Sequence, residues 1–270
     1  MVSLQLFHLD SFYHNTADID YINFGFDEKV KISGDIINPI NYENKVEFIL
    51  RKALIVCGGW TGHEPEQVSE IFKKMLEEMG FVVEISRSLD VYLDTEKMNS
   101  LSLIVTQWTM GEITEEQCKG VTEAVDSGVG IAGTHGGMCD AYRQNTTWQF
   151  MTGGQWVAHP GNDGIEFEVN IGKQKNNILA GIEDFKIKTE HYYLHVDPAV
   201  KVLATTLFPI AEGGHTSNGK VKMPVAWTKR WGKGKVFYNA LGHLANVFDN
   251  KSALEMTKRG FEWAARKEDI

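Results

Sequence analysis

The stretch Val129-Gly130-Ile131-Ala132-Gly133-Thr134-His135-Gly136-Gly137 decides how this chain is read. A short apolar run ends in a glycine-flanked residue and passes into helix-compatible sequence, the pattern of strand, sharp turn and helix. Such a turn lifts one side chain to the carboxyl edge of a parallel sheet, beside backbone N–H groups able to hold an anion or a polarised oxygen. Hydrolases and amidotransferases place Ser or Cys at that apex; this chain places His135. The geometry is catalytic but the usual nucleophile is missing. Glycines on both sides predict close approach of another group to the backbone. The alternative is that His135 merely caps the following helix.

Working outward, the flanking sequence alternates strand and helix. Residues 53–57 read as a buried strand. Pro65 opens a helix whose one face carries Val68, Ile71, Phe72, Met75 and Met79, and Gly80 ends it. Residues 81–85 and 101–106 are further strands. Thr114-Glu115-Glu116-Gln117 is a capping box with Ile113 as its staple, and its helix runs to about Ser127. This alternation predicts an α/β fold, a three-layer sandwich with a mainly parallel sheet. Downstream, residues 166–171, 200–207, 221–228 and 236–239 read as strands. Arg230-Trp231-Gly232-Lys233-Gly234-Lys235 reads as a hairpin turn, because its glycine spacing and the lack of a following Ser/Thr exclude a phosphate loop. A helix over about 253–266 closes the domain. The expected division is an α/β domain over 51–270 and an N-terminal extension of short strands and loops over 1–50. The extension carries Phe7, Phe12, Tyr13, Tyr21, Phe24, Phe26, Tyr42 and Phe48. These aromatics need cover, from the main domain or from a second subunit in a homo-oligomer.

Composition narrows the partners. The 36 acidic and 27 basic residues give a net charge of −9, unfavourable for nucleic acid. No apolar run reaches the roughly 18 residues of a transmembrane helix, so no membrane partner is expected. The first residues lack the basic and apolar regions of a signal peptide. Three cysteines, Cys57, Cys118 and Cys139, are an odd number at unmatched spacings, which fits reduced thiols in a cytoplasmic protein. Without secretion, the acceptor pattern Asn145-Thr146-Thr147 is an accident of sequence.

The candidate catalytic residues are His135, His159, Glu190 and His243. His159 ends a segment with a glycine pair, Trp156 and a His-Pro bend, which looks like a loop folded over a site. Within it Trp156 offers a stacking face for a sugar ring. In Glu190-His191-Tyr192-Tyr193-Leu194-His195-Val196-Asp197, a strand would put Glu190 and Tyr192 on one face and His191 and His195 on the other. Glu190 and Tyr192 are expected to face the pocket. His191 and His195 read equally well as structural. His243 lies just past a strand's carboxyl end, where open α/β sheets place function. Trp60 and His63 fall on the same edge; His63 joins the site or caps the helix that begins at Pro65. Trp60, His63, Trp156 and Tyr192 are the substrate-binding candidates. Cys139 reads as a buried thiol. Asp140 and Arg143 either orient His135 from behind or pair on the surface. No cofactor is required by the sequence, but His135, His159 and His243 are candidate ligands for a divalent metal such as zinc.

Together the first strand with its Gly-Gly and His63, the His135 elbow, the segment 148–159, Glu190 with Tyr192, and Gly232-Lys233-Gly234-Lys235-Val236-Phe237-Tyr238 running into Gly242-His243 resemble the ThuA-like family, named for trehalose utilisation. The resemblance covers about 53–266. It implies a scaffold like that of class I glutamine amidotransferases (flavodoxin-like). The apex holds His rather than Cys, and no His-x-Glu pair near the end completes a triad, so glutamine hydrolysis through a thioester is not expected. The resemblance implies a small-molecule sugar substrate: trehalose, related disaccharides or 3-keto-glycosides. A ketone at C3 acidifies the C2 hydrogen, so the glycosidic bond can break by elimination after proton abstraction, as an alternative to hydrolysis. His135 and Glu190 are the expected bases, with His159 and His243 binding a metal or polarising the ketone. An ordinary glycosidase needs two opposed carboxylates, and only Glu190 stands out here. The alternatives are a non-catalytic carbohydrate- or partner-binding domain on the same scaffold, and a hydrolase of a small non-sugar substrate.

Overall fold

The computed structural model describes residues 21–23, 29–31, 51–174 and 176–267. The chain divides into two compact units, Met1–Ile49 and Leu50–Ile270. In the first, β1 (Tyr21–Asn23) pairs antiparallel with β2 (Lys29–Lys31). The expected cover for the aromatics of this stretch lies outside the described residues.

The second unit begins with β3 (Lys52–Gly59), α1 (Pro65–Glu78), β4 (Val82–Ser86), α2 (Thr95–Asn99) and β5 (Leu103–Thr109). Next come α3 (Glu115–Ser127), β6 (Gly130–Thr134), α4 (Gly136–Cys139), α5 (Thr146–Thr152) and β7 (Gly154–Ala158). The chain then runs through β8 (Glu166–Ile171), β9 (Phe185–Lys188), β10 (Tyr193–Val196), β11 (Lys201–Phe208), β12 (Val221–Trp231), β13 (Gly234–Asn239) and α6 (Lys251–Ala264). Nine strands form one sheet in the order β4-β3-β5-β6-β13-β12-β11-β8-β9. The pairings from β4 to β13 are parallel, and those from β13 to β9 are antiparallel. The sheet is therefore mixed rather than mainly parallel. Helices connect the parallel strands, whereas β12 and β13 join through a two-residue turn that only antiparallel neighbours can use.

Local chemistry explains the elements around the site. Pro65 is the first residue of α1, and Val68, Phe72 and Met75 are buried along it. The capping box at Thr114 and Gln117 starts α3. Phe72 on α1 packs edge-on against Phe261 on α6, with ring centres 5.1 Å apart. Truncating a buried Phe of this kind typically costs about 3–5 kcal/mol. Asn145 caps α5, its side chain accepting from Trp148 N at 2.8 Å, which gives that residue a structural role.

Two segments depart from expectation. Part of the loop read over 152–161 is strand β7, paired with β10 in a separate two-stranded ribbon. Glu190 and Tyr192 precede β10 instead of lying within it. They are buried all the same, and His191 turns the other way, between the rings of Phe167 and Phe208.

Candidate functional site

The elbow is built as the opening stretch predicts. β6 ends at Thr134, His135 takes φ 46 and ψ −133, and α4 begins at Gly136. A non-glycine residue in this region costs roughly 1–3 kcal/mol and persists only where its surroundings hold it. The end of β13 does so. His135 N donates to Asn239 O at 2.7 Å, and the Tyr238 hydroxyl donates to His135 O at 3.1 Å. Asn239 is itself tied to Thr257 on α6 at 2.9 Å.

The same strand end orients the imidazole. His135 Nδ1 lies 2.9 Å from Ala240 O. A carbonyl only accepts, so Nδ1 carries the proton and Nε2 of the neutral ring presents an electron pair. That pair faces Glu190 Oε2 at 3.1 Å. His63, four residues past β3, has Nδ1 2.9 Å from Thr109 Oγ1 and Nε2 3.8 Å from Glu190 Oε2. Its ring is the group for which the elbow leaves room. A Cβ on Gly136 would stand 2.6 Å from His63 Nδ1 and 2.9 Å from Thr109 Oγ1. His243, past the end of β13, has its buried Nδ1 3.3 Å from the same Glu190 oxygen without a well-aligned hydrogen bond.

One carboxylate oxygen is thus ringed by three imidazoles. One donor atom from each of His63, His135, Glu190 and His243 lies within 4.8 Å of the others. Ligands about 2.0–2.1 Å from a tetrahedral zinc ion stand about 3.3 Å from one another, so the three contacts to Glu190 Oε2, at 3.1, 3.3 and 3.8 Å, approximate that spacing. The electrostatics agree. Burial, reinforced by the neighbouring His135 and His243, pushes His63 down to about 3. Burial also lowers His135, against the pull of Glu190. Burial alone would raise Glu190, but its contacts with His135 and His243 outweigh it and hold the carboxyl well below the usual range. Two imidazoles that burial keeps neutral, His63 and His135, offer electron pairs beside an ionised carboxylate, an arrangement suited to a cation. The hydrogen bond that His135 Nδ1 donates to Ala240 O, and the one between His63 Nδ1 and the Thr109 hydroxyl, fix the tautomer of the first ring and the orientation of both, as metal-ligating histidines require. Zinc or a similar divalent ion fits this donor set.

A cavity of about 240 Å³ opens onto the cluster. His63, Glu190, His159 and Tyr192 line it, together with Trp60, Trp156, Met110, Asp140 and Arg143. His135 and His243 lie behind the lining, with Tyr192 stacked on His135 at 3.8 Å. His159 stands outside the four donors. Its Nδ1 lies 3.0 Å from Asn162 Oδ1 and 3.7 Å from Glu190 Oε1. The structure therefore gathers His135, Glu190 and His243, adds His63 to them, and sets His159, Tyr192, Trp60 and Trp156 around the cavity. Sequence reasoning missed that Asp140 and Arg143 line the cavity as a mutual pair. It also missed Met110. Among the described residues, five non-glycine residues have positive φ: Glu64, Met110, His135, Tyr142 and Asn162. Met110 lines the cavity, Glu64 and Tyr142 adjoin lining residues, and Asn162 holds His159, so local strain is concentrated at this place.

The profile of the ThuA family, described as trehalose utilisation, matches residues 52–264. The chain belongs to the ThuA family. A putative ThuA-like protein from Bacteroides uniformis has 16% identity and a TM-score of 0.64 over 83% of this chain and 95% of its own. One from Parabacteroides merdae has 18% identity and a TM-score of 0.60 over 82% and 93%. A cytoplasmic protein from Salmonella typhimurium has 12% identity and a TM-score of 0.58 over 80% and 100%. At these identities the likeness shows the fold. A search of curated proteins gave no match. Among the described residues, no helix is long and apolar enough to cross a membrane.

Proposed function

We propose that this ThuA-family chain is a carbohydrate-metabolism enzyme that cleaves a 3-keto-glycoside by elimination beside a divalent-metal centre. The observation that carries the proposal is the convergence of three imidazoles on one buried oxygen of Glu190, at a cavity sized for a single sugar ring. A binding module needs no such cluster. Drug-sized ligands occupy about 300–1,000 Å³, so 240 Å³ suits one ring.

His63, His135, His243 and Glu190 would hold the ion. Such an ion neutralises negative charge developing on an oxygen. The chain's own residues account for the proton transfers. Both ring nitrogens of His135 are engaged, which favours His159 over His135 as the base. With Nδ1 directed at Asn162 Oδ1, His159 keeps a free electron pair on Nε2. His159 removes the C2 proton, the C2–H electrons form the C1–C2 double bond, and the C1–O bond breaks. The leaving oxygen takes a proton. Tyr192, which lines the cavity and stacks on His135, is the donor, and the proton taken by His159 restores its phenol. A cytoplasmic location and an amidotransferase-like scaffold belong to the same proposal, supported by three free thiols and by the elbow.

The test is turnover of 3-keto-glycosides against the parent glycosides, with deuterium at C2. The expected result is cleavage of the keto forms alone, a primary isotope effect, and a loss of about 10²–10⁴-fold in kcat for His159→Ala. Equal cleavage of plain glycosides without an isotope effect contradicts elimination.

A further inference from the structure

The cavity has a polar wall that the proposed chemistry leaves unused. Arg143 Nε donates to Asp140 Oδ1 at 2.6 Å, and Nη2 donates to Oδ2 at 2.9 Å. The Asp140 side chain is 3% exposed and that of Arg143 36%. The guanidinium carbon lies 4.3 Å from the centre of the Trp156 ring, a cation–π arrangement. All three residues line the cavity.

This wall is braced beyond the needs of an ordinary ion pair. Met110 N donates to Asp140 O at 2.8 Å. Tyr142, held at φ 49, returns a hydrogen bond from its N–H to Met110 O at 3.3 Å. Gln149 Nε2 donates to Arg143 O at 2.9 Å. The pair is thus fixed before any ligand arrives, which lowers the ordering cost of binding.

The chemistry of the pair selects its ligand. With Nε and Nη2 engaged, Arg143 retains donors on Nη1, and the Asp140 oxygens retain acceptor lone pairs. Donors and acceptors side by side in one planar pair match two hydroxyls on one edge of a ring, such as those at C4 and C6 that a 3-keto-sugar retains, each of which donates and accepts. The Trp156 ring can cover the C–H face of the same sugar. The two charges cancel, so the wall has no net charge to draw an anion, and Asp140 repels one at short range.

We propose that Asp140, Arg143 and Trp156 form the subsite that grips a sugar ring by two hydroxyls on one edge, such as those at C4 and C6, and selects uncharged sugars over acidic ones. The proposal rests on the sugar reading of the cavity and adds the substrate class.

The test is calorimetric titration of the metal-loaded full chain with methyl α-glucoside and with the methyl glucuronoside that differs from it only in the C6 carboxylate. Neither has a ketone, so neither is consumed by elimination. The glucoside is expected to bind at least about tenfold more tightly. Arg143→Met should weaken it by about 10- to 100-fold, the loss of hydrogen bonds from a charged donor. Trp156→Ala, which leaves the ion pair in place, should weaken it by about 2- to 10-fold. Metal content should stay the same in both variants, which separates this subsite from the metal centre. Tighter binding of the glucuronoside, or glucoside affinity unchanged in both variants, overturns the proposal alone. Failure of the wild-type chain to bind either sugar overturns it together with the sugar reading of the cavity.

Discussion

His135 Nε2 and Glu190 Oε2 stand 3.1 Å apart, and the contact from His135 Nδ1 to Ala240 O makes them two acceptors facing each other. Two electron pairs at that separation repel unless a cation lies between them. Burial lowers the affinity of His135 for a proton. A divalent ion held also by His63 and His243 would meet the same need and satisfy all four donors at once.

Thr109 tests the support of the centre without touching its donors. Its hydroxyl lies 2.9 Å from His63 Nδ1. Thr109→Val keeps the shape and frees the ring. Metal affinity, measured by competition with a coloured chelator, is expected to fall about 10–100-fold, the usual effect of losing such a partner. Unchanged affinity would show that the His63 tautomer is set elsewhere.

Gly136 tests the close approach of His63 to the elbow. An alanine Cβ would meet His63 Nδ1 at 2.6 Å. Gly136→Ala is expected to lower stability by about 1–3 kcal/mol, as overpacking does, and to weaken metal binding because His63 must move. Thermal unfolding and metal titration read the two effects separately, and a variant with both intact would contradict the packing described.

Much of this arrangement was legible in the sequence because it is encoded locally. The apolar run and glycines around His135 specify the elbow, and Pro65 and the Thr114 capping box specify two helices through first-turn chemistry. The mixed sheet was less legible. That β13 lies beside β6 and β11 beside β8 depends on partners distant in sequence, which the alternation of single strands does not reveal. At the site, His135, Glu190 and His243 stood out by position after strands or beside aromatics. His63 was harder to place, since its role depends on the absence of a side chain at Gly136, 73 residues away. The sequence left Asp140 and Arg143 either behind His135 or as a surface pair, and only the fold around Met110 turns them into the cavity.

Cys139 lies behind the elbow apex, 1% exposed, and burial holds its thiol well above the usual range. Cys139→Ala is expected to keep turnover within a few-fold of wild type, and iodoacetamide to leave the native thiol unmodified. Loss of activity with an intact fold would assign the reaction to a thiolate.

His191 gives the pH dependence of stability. Its ring is stacked against Phe208 at 4.1 Å, both nitrogens lack a hydrogen-bond partner, and burial lowers it to about 3. Above about 6.5 the ring is neutral in both folded and unfolded chains and contributes no pH dependence. Between about 6.5 and 3 the unfolded chain takes up a proton that the folded chain does not, so stability falls as pH is lowered. The slope for one such proton is at most about 1.4 kcal/mol per pH unit. In chelator-treated protein, His191→Phe should flatten the fall in unfolding free energy between pH 6.5 and 5 by up to about 2 kcal/mol. An identical pH profile in the variant would show that His191 gains a partner in solution.

The metal centre itself is tested most directly by the stoichiometry of divalent-ion binding, read by elemental analysis of chelator-stripped protein after reloading with zinc and desalting. Wild type is expected to retain one ion per chain, and Glu190→Ala, which removes the shared oxygen, to retain none while remaining folded. An empty wild-type chain, or the same metal content in both proteins, would contradict the assignment of His63, His135, His243 and Glu190 as a metal site.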